Sequence, residues 1–305
     1  MKVAVVGAGA VGGWYGGLLV QAGHEVHLVS RRDHAVVRAS GLVLRGQAGE
    51  VNVRPAGAWA DTAEIGPCDL VVIAAKATAN PELPAQVRPL VGSETIVLTL
   101  QNGMGNVEAF AGVVPVERLV AGLCFVCINR LAPAVVENTH QGYVRVAAAS
   151  GPVNPAVSKV VEVFVAAGVD CRPEASLEAV LWKKLCWNIP FNGLAVAAGG
   201  ITTEAIMALP SLQARALLLM REVQAAALAR GHGFDDAHIR TQFEVTARMG
   251  AYRPSSMIDY VEGREVEVDG IWAEPLRRGL SAGVAMPALT ELLQDIRQRL
   301  AARAG

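Results

Sequence analysis

A short apolar run, Lys2–Val6, leads directly into Gly7-Ala8-Gly9-Ala10-Val11-Gly12 and then into a helical stretch that ends at Gly23. Few other features limit a chain so strongly. Strand, G-x-G-x-x-G and helix in immediate succession form the turn that brings a backbone close to a pyrophosphate. Gly7 permits the tight turn, Gly9 lets the phosphates approach, and Gly12 lets the helix pack closely on the strand. The helix start adds unpaired N–H groups and a partial positive charge. The six residues from Gly7 to Gly12 are therefore candidate dinucleotide contacts, with a nicotinamide cofactor favoured over a flavin.

The pattern continues as alternating strands and helices. Glu25–Val29 reads as a second strand, and Asp69–Ala75 and Thr95–Leu100 are largely continuous apolar runs, as fits strands covered on both faces. Val135–Asn138 and Tyr143–Ala148 read as two further strands, Asn154–Ala167 as a helix, and Val169–Arg172 as a last strand before Pro173. Beyond it the signal is helical: Ser176 is a candidate N-cap, Leu212–Arg230 is rich in Ala and Leu, and Pro287–Arg303 is amphipathic. The fold expected is α/β, an N-terminal doubly wound Rossmann-type domain (1–173) followed by an all-α C-terminal domain (174–305). A length of 305 residues suits two such domains.

The end of the second strand selects the cofactor. A site for NAD usually places Asp or Glu there, on the ribose 2′-OH. This chain has Ser30 and then Arg31-Arg32, and a guanidinium suits a 2′-phosphate, so NADP(H) is expected. Lys76 follows one buried strand, and Gln101-Asn102-Gly103 follows another. Strand carboxyl ends line the ligand crevice of such folds, which makes Lys76 and Asn102 candidate cofactor contacts.

In the second half, Trp182-Lys183-Lys184-Leu185-Cys186-Trp187-Asn188-Ile189-Pro190-Phe191-Asn192 is the most informative stretch. Residues four apart drift by only about 40° around a helix, so Lys184, Asn188 and Asn192 share a face. Polar groups on a helix otherwise suited to a core are costly unless they are paired or meet a ligand. Lys183 falls on the solvated side, and Pro190 is expected to kink the helix.

Taken in order, the GAGAVG loop, Val26 to His34, Lys76, Gln101-Asn102-Gly103, W-x-K-L-x-x-N-x-x-x-N, Ser255-Ser256-Met257 and Gly263-Arg264-x-x-Glu267-Val268-Asp269 resemble the ketopantoate (2-dehydropantoate) reductase family over nearly the whole chain. The resemblance implies roles. Lys184 matches the general acid, Asn188 and Asn192 the substrate-binding asparagines, and Asn102 an asparagine touching cofactor and substrate. Arg31 and Lys76 match cofactor contacts, and Ser255 or Ser256 the serine at the substrate carboxylate. Glu267 matches an acid near the lysine and the cofactor. The usual Asn-Gly after the acidic motif is Trp272-Ala273 here, which bears on the acyl pocket.

The expected chemistry is reduction of the C2 ketone of 2-dehydropantoate to pantoate, with Lys184 as proton donor. Another branched or aromatic 2-keto acid, or a non-catalytic NADP(H) sensor, are the alternatives. A net charge of -1 and 18% charged residues give no basic surface for nucleic acid. No uninterrupted apolar run suggests a membrane span, and a cytoplasmic protein with a small-molecule partner is expected. Oligomeric state is left open, a homodimer included, although Leu212–Arg230 reads as core. Five scattered cysteines, Cys124-x-x-Cys127 among them, read as structural, with no metal site. The six histidines fall outside every constellation and are assigned to structural or surface roles.

Overall fold

The computed structural model describes residues 1–304. They form two compact units, one of 1–101 and 106–177, the other of 102–105 with the helical remainder from 178. The first unit contains, in order, β1 (Lys2–Val6), α1 (Ala10–Gln21), β2 (Glu25–Val29), α2 (His34–Ser40), β3 (Leu42–Gly46), β4 (Gly49–Val53), β5 (Gly57–Trp59) and β6 (Cys68–Ile73). After these come α3 (Leu83–Val87), β7 (Val91–Thr99), β8 (Leu119–Ala132), β9 (Val135–Ala148), α4 (Pro155–Ala166) and β10 (Cys171–Pro173).

One mixed sheet carries this unit, in the order β4-β3-β9-β8-β7-β6-β1-β2-β5, with β10 added on β9. From β5 to β8 all neighbours are parallel. β8 and β9 then pair antiparallel as one long hairpin. The chain leaves β1 toward β2 on one side and β6 joins it on the other, so β1 is the switch point where such sheets open a crevice.

Alternation along the inner strands feeds two cores. Val3 and Val5 of β1, with Leu70 and Val72 of β6, join Tyr15, Leu19 and Phe164 from α1 and α4. Ala4, Val6, Val71 and Ile73 point the other way and pack with Leu83, Val87, Leu90 and Phe110. With apolar matter on both faces, the strands need no polar positions.

The second unit is helical: most of α5 (Leu177–Ala197), then α6 (Thr203–Ala208), α7 (Pro210–Ala229), α8 (Asp236–Arg248), α9 (Ser255–Val261), α10 (Glu274–Ser281) and α11 (Pro287–Ala304). α5 is buried continuously from Leu185 to Val196 and runs unbroken through Pro190. Around it lie Leu219, Met220 and Val223 of α7, Leu289 and Ile296 of α11, and Trp272. The carboxylate of Glu222 caps α11, accepting from the amides of Ala288 (2.7 Å) and Leu289 (2.8 Å). Among the described residues no helix is long and apolar enough to cross a membrane.

At the entry to α2, the buried Asp33 is gripped by Arg130 of β8. Nε and Nη2 donate to its two carboxylate oxygens at 2.6 Å each, and the Ala134 amide adds a bond at 3.3 Å. The bond from Arg130 is the main cause holding the Asp33 carboxyl below the usual carboxylate range, against the opposing effect of burial. A depressed folded-state pKa stabilises above the unfolded value, near 3.9, and the benefit is lost as pH falls through the folded value. Asp33→Asn is therefore expected to melt lower than wild type near neutral pH, with the gap closing below about pH 4. A gap in Tm that stays constant from pH 7 to pH 3 would overturn this account of the pair.

Candidate active site

Four adjacent strands of the first unit end in register. Val29 of β2 pairs with Val6 of β1, Val6 with Ile73 of β6, and Ile73 with Thr99 of β7. Each is followed by an expected site segment: Ser30-Arg31, Gly7, Ala74 to Lys76, and Gln101. The amides of Gly7 and Ala8 close on Val29 O at 3.0 and 2.9 Å, and those of Ala74 and Ala75 on Val6 O at 2.9 and 3.2 Å. These bonds fix the loops at the sheet edge.

Gly7 has φ +93°, and a Cβ there would lie 2.2 Å from the Ala75 nitrogen. A Cβ on Gly12 would lie 2.4 Å from Gly7 O. At Gly9 the same construction meets nothing within 4 Å, so this is open space that a side chain would fill. The first amide of α1 to find a helical partner is Gly13, on Gly9 O at 2.9 Å. Those of Ala10, Val11 and Gly12 have no protein acceptor among the described residues. Three free donors around an open cradle fit a pyrophosphate.

Arg31 and Arg32 are exposed, and among the described residues their guanidinium groups make no hydrogen bond or ion pair with protein. Lys76 is half-buried, extended at φ -61° and ψ 146°, and starts a short 3-10 turn. Gln101 is committed elsewhere, donating to Asn80 Oδ1 at 2.7 Å and accepting from Thr99 at 2.9 Å.

Asn102 belongs to the helical unit. Gly103 and Met104 dock on Gly270: Met104 N–H donates to Gly270 O at 2.8 Å, and a Cβ on Gly103 (φ +86°) would lie 2.4 Å from that carbonyl. Only glycine tolerates this approach combined with that backbone angle. The docking sets Asn102 against α5, where Lys184 Nζ donates to Asn102 Oδ1 at 2.7 Å. Lys184 is half-buried and Lys183 exposed.

One and two turns further along α5 stand Asn188 and Asn192, 8% and 1% exposed. Asn192 Oδ1 accepts from the Ser256 amide at 2.9 Å and lies 3.5 Å from the Ser255 hydroxyl. The amide bond identifies that atom as oxygen, which leaves Nδ2 as a donor without a protein partner among the described residues. Asn188 has no side-chain hydrogen bond to protein among the described residues. The contrast with neighbouring indoles is sharp: Trp182 donates to Glu178 (3.3 Å), Trp187 to Thr246 (2.8 Å) and Trp272 to Ile189 O (3.0 Å). Among the described residues the one fully buried side-chain polar atom without a partner is His24 Nε2, so the Asn188 amide keeps access to solvent, where a ligand can meet it.

Both serines lie in the first turn of α9, Ser255 exposed and Ser256 buried. Glu267 is 8% exposed, and its carbonyl accepts from the Ile271 amide at the start of a one-turn π-helix over Asp269–Ala273. Trp272, one of the two residues that stand in place of the usual Asn-Gly, is fully buried.

The histidines are engaged away from these groups. His27 contacts Glu25 and Trp59, His34 bonds Ser30 O, His238 bonds Lys183 O and His232 lies by Glu178. His24 neighbours the amino terminus, and the side chain of His140 lies outside the described residues. The sequence reading passed over Asp33, whose partner Arg130 is 97 residues away. It also passed over the docking of Gly103 on Gly270, which no local pattern announces.

Comparison with known proteins agrees with this arrangement. Residues 3–151 match the family described as ketopantoate reductase PanE/ApbA, and residues 176–300 match its C-terminal part. The chain is 35% identical to a 2-dehydropantoate 2-reductase of Nostoc sp. over 97% of its own length and 94% of the relative's. A 2-dehydropantoate 2-reductase structure from Geobacter metallireducens superposes with a TM-score of 0.94 at 36% identity, covering 98% of this chain and 99% of that one. A D-mandelate dehydrogenase in a ternary structure with NADH and anilino(oxo)acetate shares the fold at 21% identity and a TM-score of 0.90, covering all of both chains. With both parts of the family matched in order and a relative above 30% identity along nearly its whole length, this chain belongs to the ketopantoate reductase family.

Proposed function

We propose that the protein reduces 2-dehydropantoate to pantoate with NADPH, using Lys184 as the proton donor. The observation that carries this reading is the bond from Lys184 Nζ to Asn102 Oδ1, made on the same helix face as the unpaired Asn188. An ammonium beside the Asn102 amide places a positive charge and a proton where an oxyanion would develop.

The residues present fit a nicotinamide dinucleotide. Gly7 to Gly12 would hold its pyrophosphate, Arg31 its 2′-phosphate, and Lys76, Asn102 and Glu267 would be further contacts. When bound, the reduced cofactor supplies the hydride. The protein's own part is positioning and charge. Lys184 stabilises negative charge on the C2 oxygen and then transfers a proton to it. Asn188 and the Nδ2 group of Asn192 donate to substrate oxygens, while Ser255 or Ser256 meets the carboxylate. Glu267, with its carboxylate buried on this unit, balances the lysine's charge. The domain assignment 1–173 and 174–305 then separates cofactor binding from keto-acid chemistry, with Asn102–Gly105 contributed to the latter.

The direct test is an NADPH-oxidation assay with 2-dehydropantoate beside other branched and aromatic 2-keto acids. Turnover with 2-dehydropantoate preferred is expected. Turnover of another keto acid alone would reassign the substrate, and none with any would overturn the reading. Lys184→Ala is expected to lower kcat by about 10²–10⁴ while NADPH affinity changes little. Normal turnover in that variant would remove Lys184 from the mechanism. Asn188→Leu is expected to keep or raise Tm, because it adds apolar burial and removes no protein hydrogen bond among the described residues, while kcat/KM for the keto acid falls by about tenfold or more. A drop in Tm with unchanged kcat/KM would make Asn188 structural instead.

A further inference from the structure

We propose that the Arg130–Asp33 pair determines dinucleotide selectivity, by holding away from the ribose the one carboxylate at the end of β2. The inference rests on the NADP(H) reading above and goes beyond it, since that reading gave no role to Asp33 or to Arg130.

The argument begins with the turn Arg31-Arg32-Asp33, which carries two cations and one acid within three residues. An acid at the end of the second strand is the group that receives a ribose 2′-OH in sites for NAD, and it repels a 2′-phosphate. Ser30 holds that position here, and Asp33, three residues further on, is the acid of the same turn and is fully engaged. One oxygen accepts from Arg130 Nη2, and the other from Arg130 Nε and the Ala134 amide. The Asp33 side chain is 8% exposed and that of Arg130 36%. Two parallel N–H···O bonds from one guanidinium fix direction as well as charge. The pair is neutral and faces away from solvent on the acid's side. Arg31 and Arg32 are thereby left exposed, without an anionic partner among the described residues. The field at the strand end is that of two exposed cations, since the nearest carboxylate, which Arg32 feels, is balanced chiefly by Arg130, and this suits a phosphate dianion.

Without Arg130 this balance changes. Asp33 would be a buried carboxylate deprived of its two charged bonds, with Arg31 and Arg32 as adjacent cations. Pairing with either would cancel charge meant for the phosphate and present an acceptor to a ribose hydroxyl. Removing the carboxylate as well would restore the cationic end. Arg130 acts through Asp33, so it is a positioning residue rather than a cofactor contact.

The test is titration calorimetry of NADP⁺ and NAD⁺ with no keto acid present, on wild type, Arg130→Met, Arg130→Lys, Asp33→Asn and the double variant Arg130→Met/Asp33→Asn. Wild type is expected to prefer NADP⁺. Arg130→Met should shift the ratio of the two Kd values toward NAD⁺ on the order of tenfold. The double variant should return to within roughly threefold of wild type, and Asp33→Asn alone should keep or increase the NADP⁺ preference. Arg130→Lys should fall between wild type and Arg130→Met, since it keeps the charge and loses the fork. An unchanged ratio in Arg130→Met, or a shifted one that Asp33→Asn does not restore, would overturn the masking role alone. A wild type with no NADP⁺ preference would overturn the NADP(H) reading and this inference together. Should Arg130→Met fail to fold, Asp33→Asn and Arg130→Lys decide: a shift toward NAD⁺ in Asp33→Asn overturns the proposal, and a retained or increased NADP⁺ preference there with partial loss in Arg130→Lys supports it.

Discussion

A single hydrogen bond, from Lys184 Nζ to Asn102 Oδ1, joins residues 82 apart in sequence, and the proposed chemistry hangs on its geometry. Neither end is held by the bond itself. Asn102 is placed because Gly103 takes a left-handed backbone angle and lies against Gly270, with Met104 bonded to the same carbonyl. Lys184 is placed because the next turns of α5 are buried throughout, which leaves the helix no rotational freedom about its axis. Chain segments that carry no reactive group thus set the distance between two that do.

Polar satisfaction separates structural from functional residues in the helical unit. Three buried indoles each donate to a protein acceptor, and Glu222 satisfies two amides at the start of α11. Asn188 makes no such bond among the described residues, and its amide keeps access to solvent. A sequence selected for stability alone would place a leucine there, as it does at 185 and 194. Its retention as asparagine is intelligible if the missing partner arrives with the substrate.

Legibility followed the range of the interactions. β1 and β2 end where the apolar runs end, because strands buried on both faces have no other way to be written. Asp69–Ala75 overshoots β6 by two residues, since Ala74 and Ala75 turn out of the ladder to bond Val6 O. The edge hairpin of β3 and β4 was unread: β4 is exposed at four of five positions and carries no periodicity. The segments 135–138 and 143–148 read as separate strands because polar residues intervene, yet pairing with β8 continues through them with bulges. The Lys184, Asn188 and Asn192 face needed only helical spacing, and was visible. What could not be read was anything decided by a distant partner, Asp33 with Arg130 or Gly103 with Gly270.

The strand end where Asp33 sits shows how little chemistry separates two cofactor preferences on such a fold. The turn at Gly7 to Gly12 offers backbone amides, which any dinucleotide pyrophosphate can use and which do not distinguish one dinucleotide from another. Discrimination must come from side chains past β2, where a ribose hydroxyl and a phosphate differ by a dianion. On the proposed NADP(H) reading, Arg31 and Arg32 would favour the phosphate, and an unpaired acid beside them would oppose it. Deleting the acid would be the simplest remedy, yet this chain keeps it buried on an arginine from the other side of the sheet order. That arrangement costs desolvation of a carboxylate, which two charge-assisted bonds offset only while both partners are present. A device of this kind makes selectivity depend on a residue that need never touch the cofactor, which is why inspection of contacts alone would miss it.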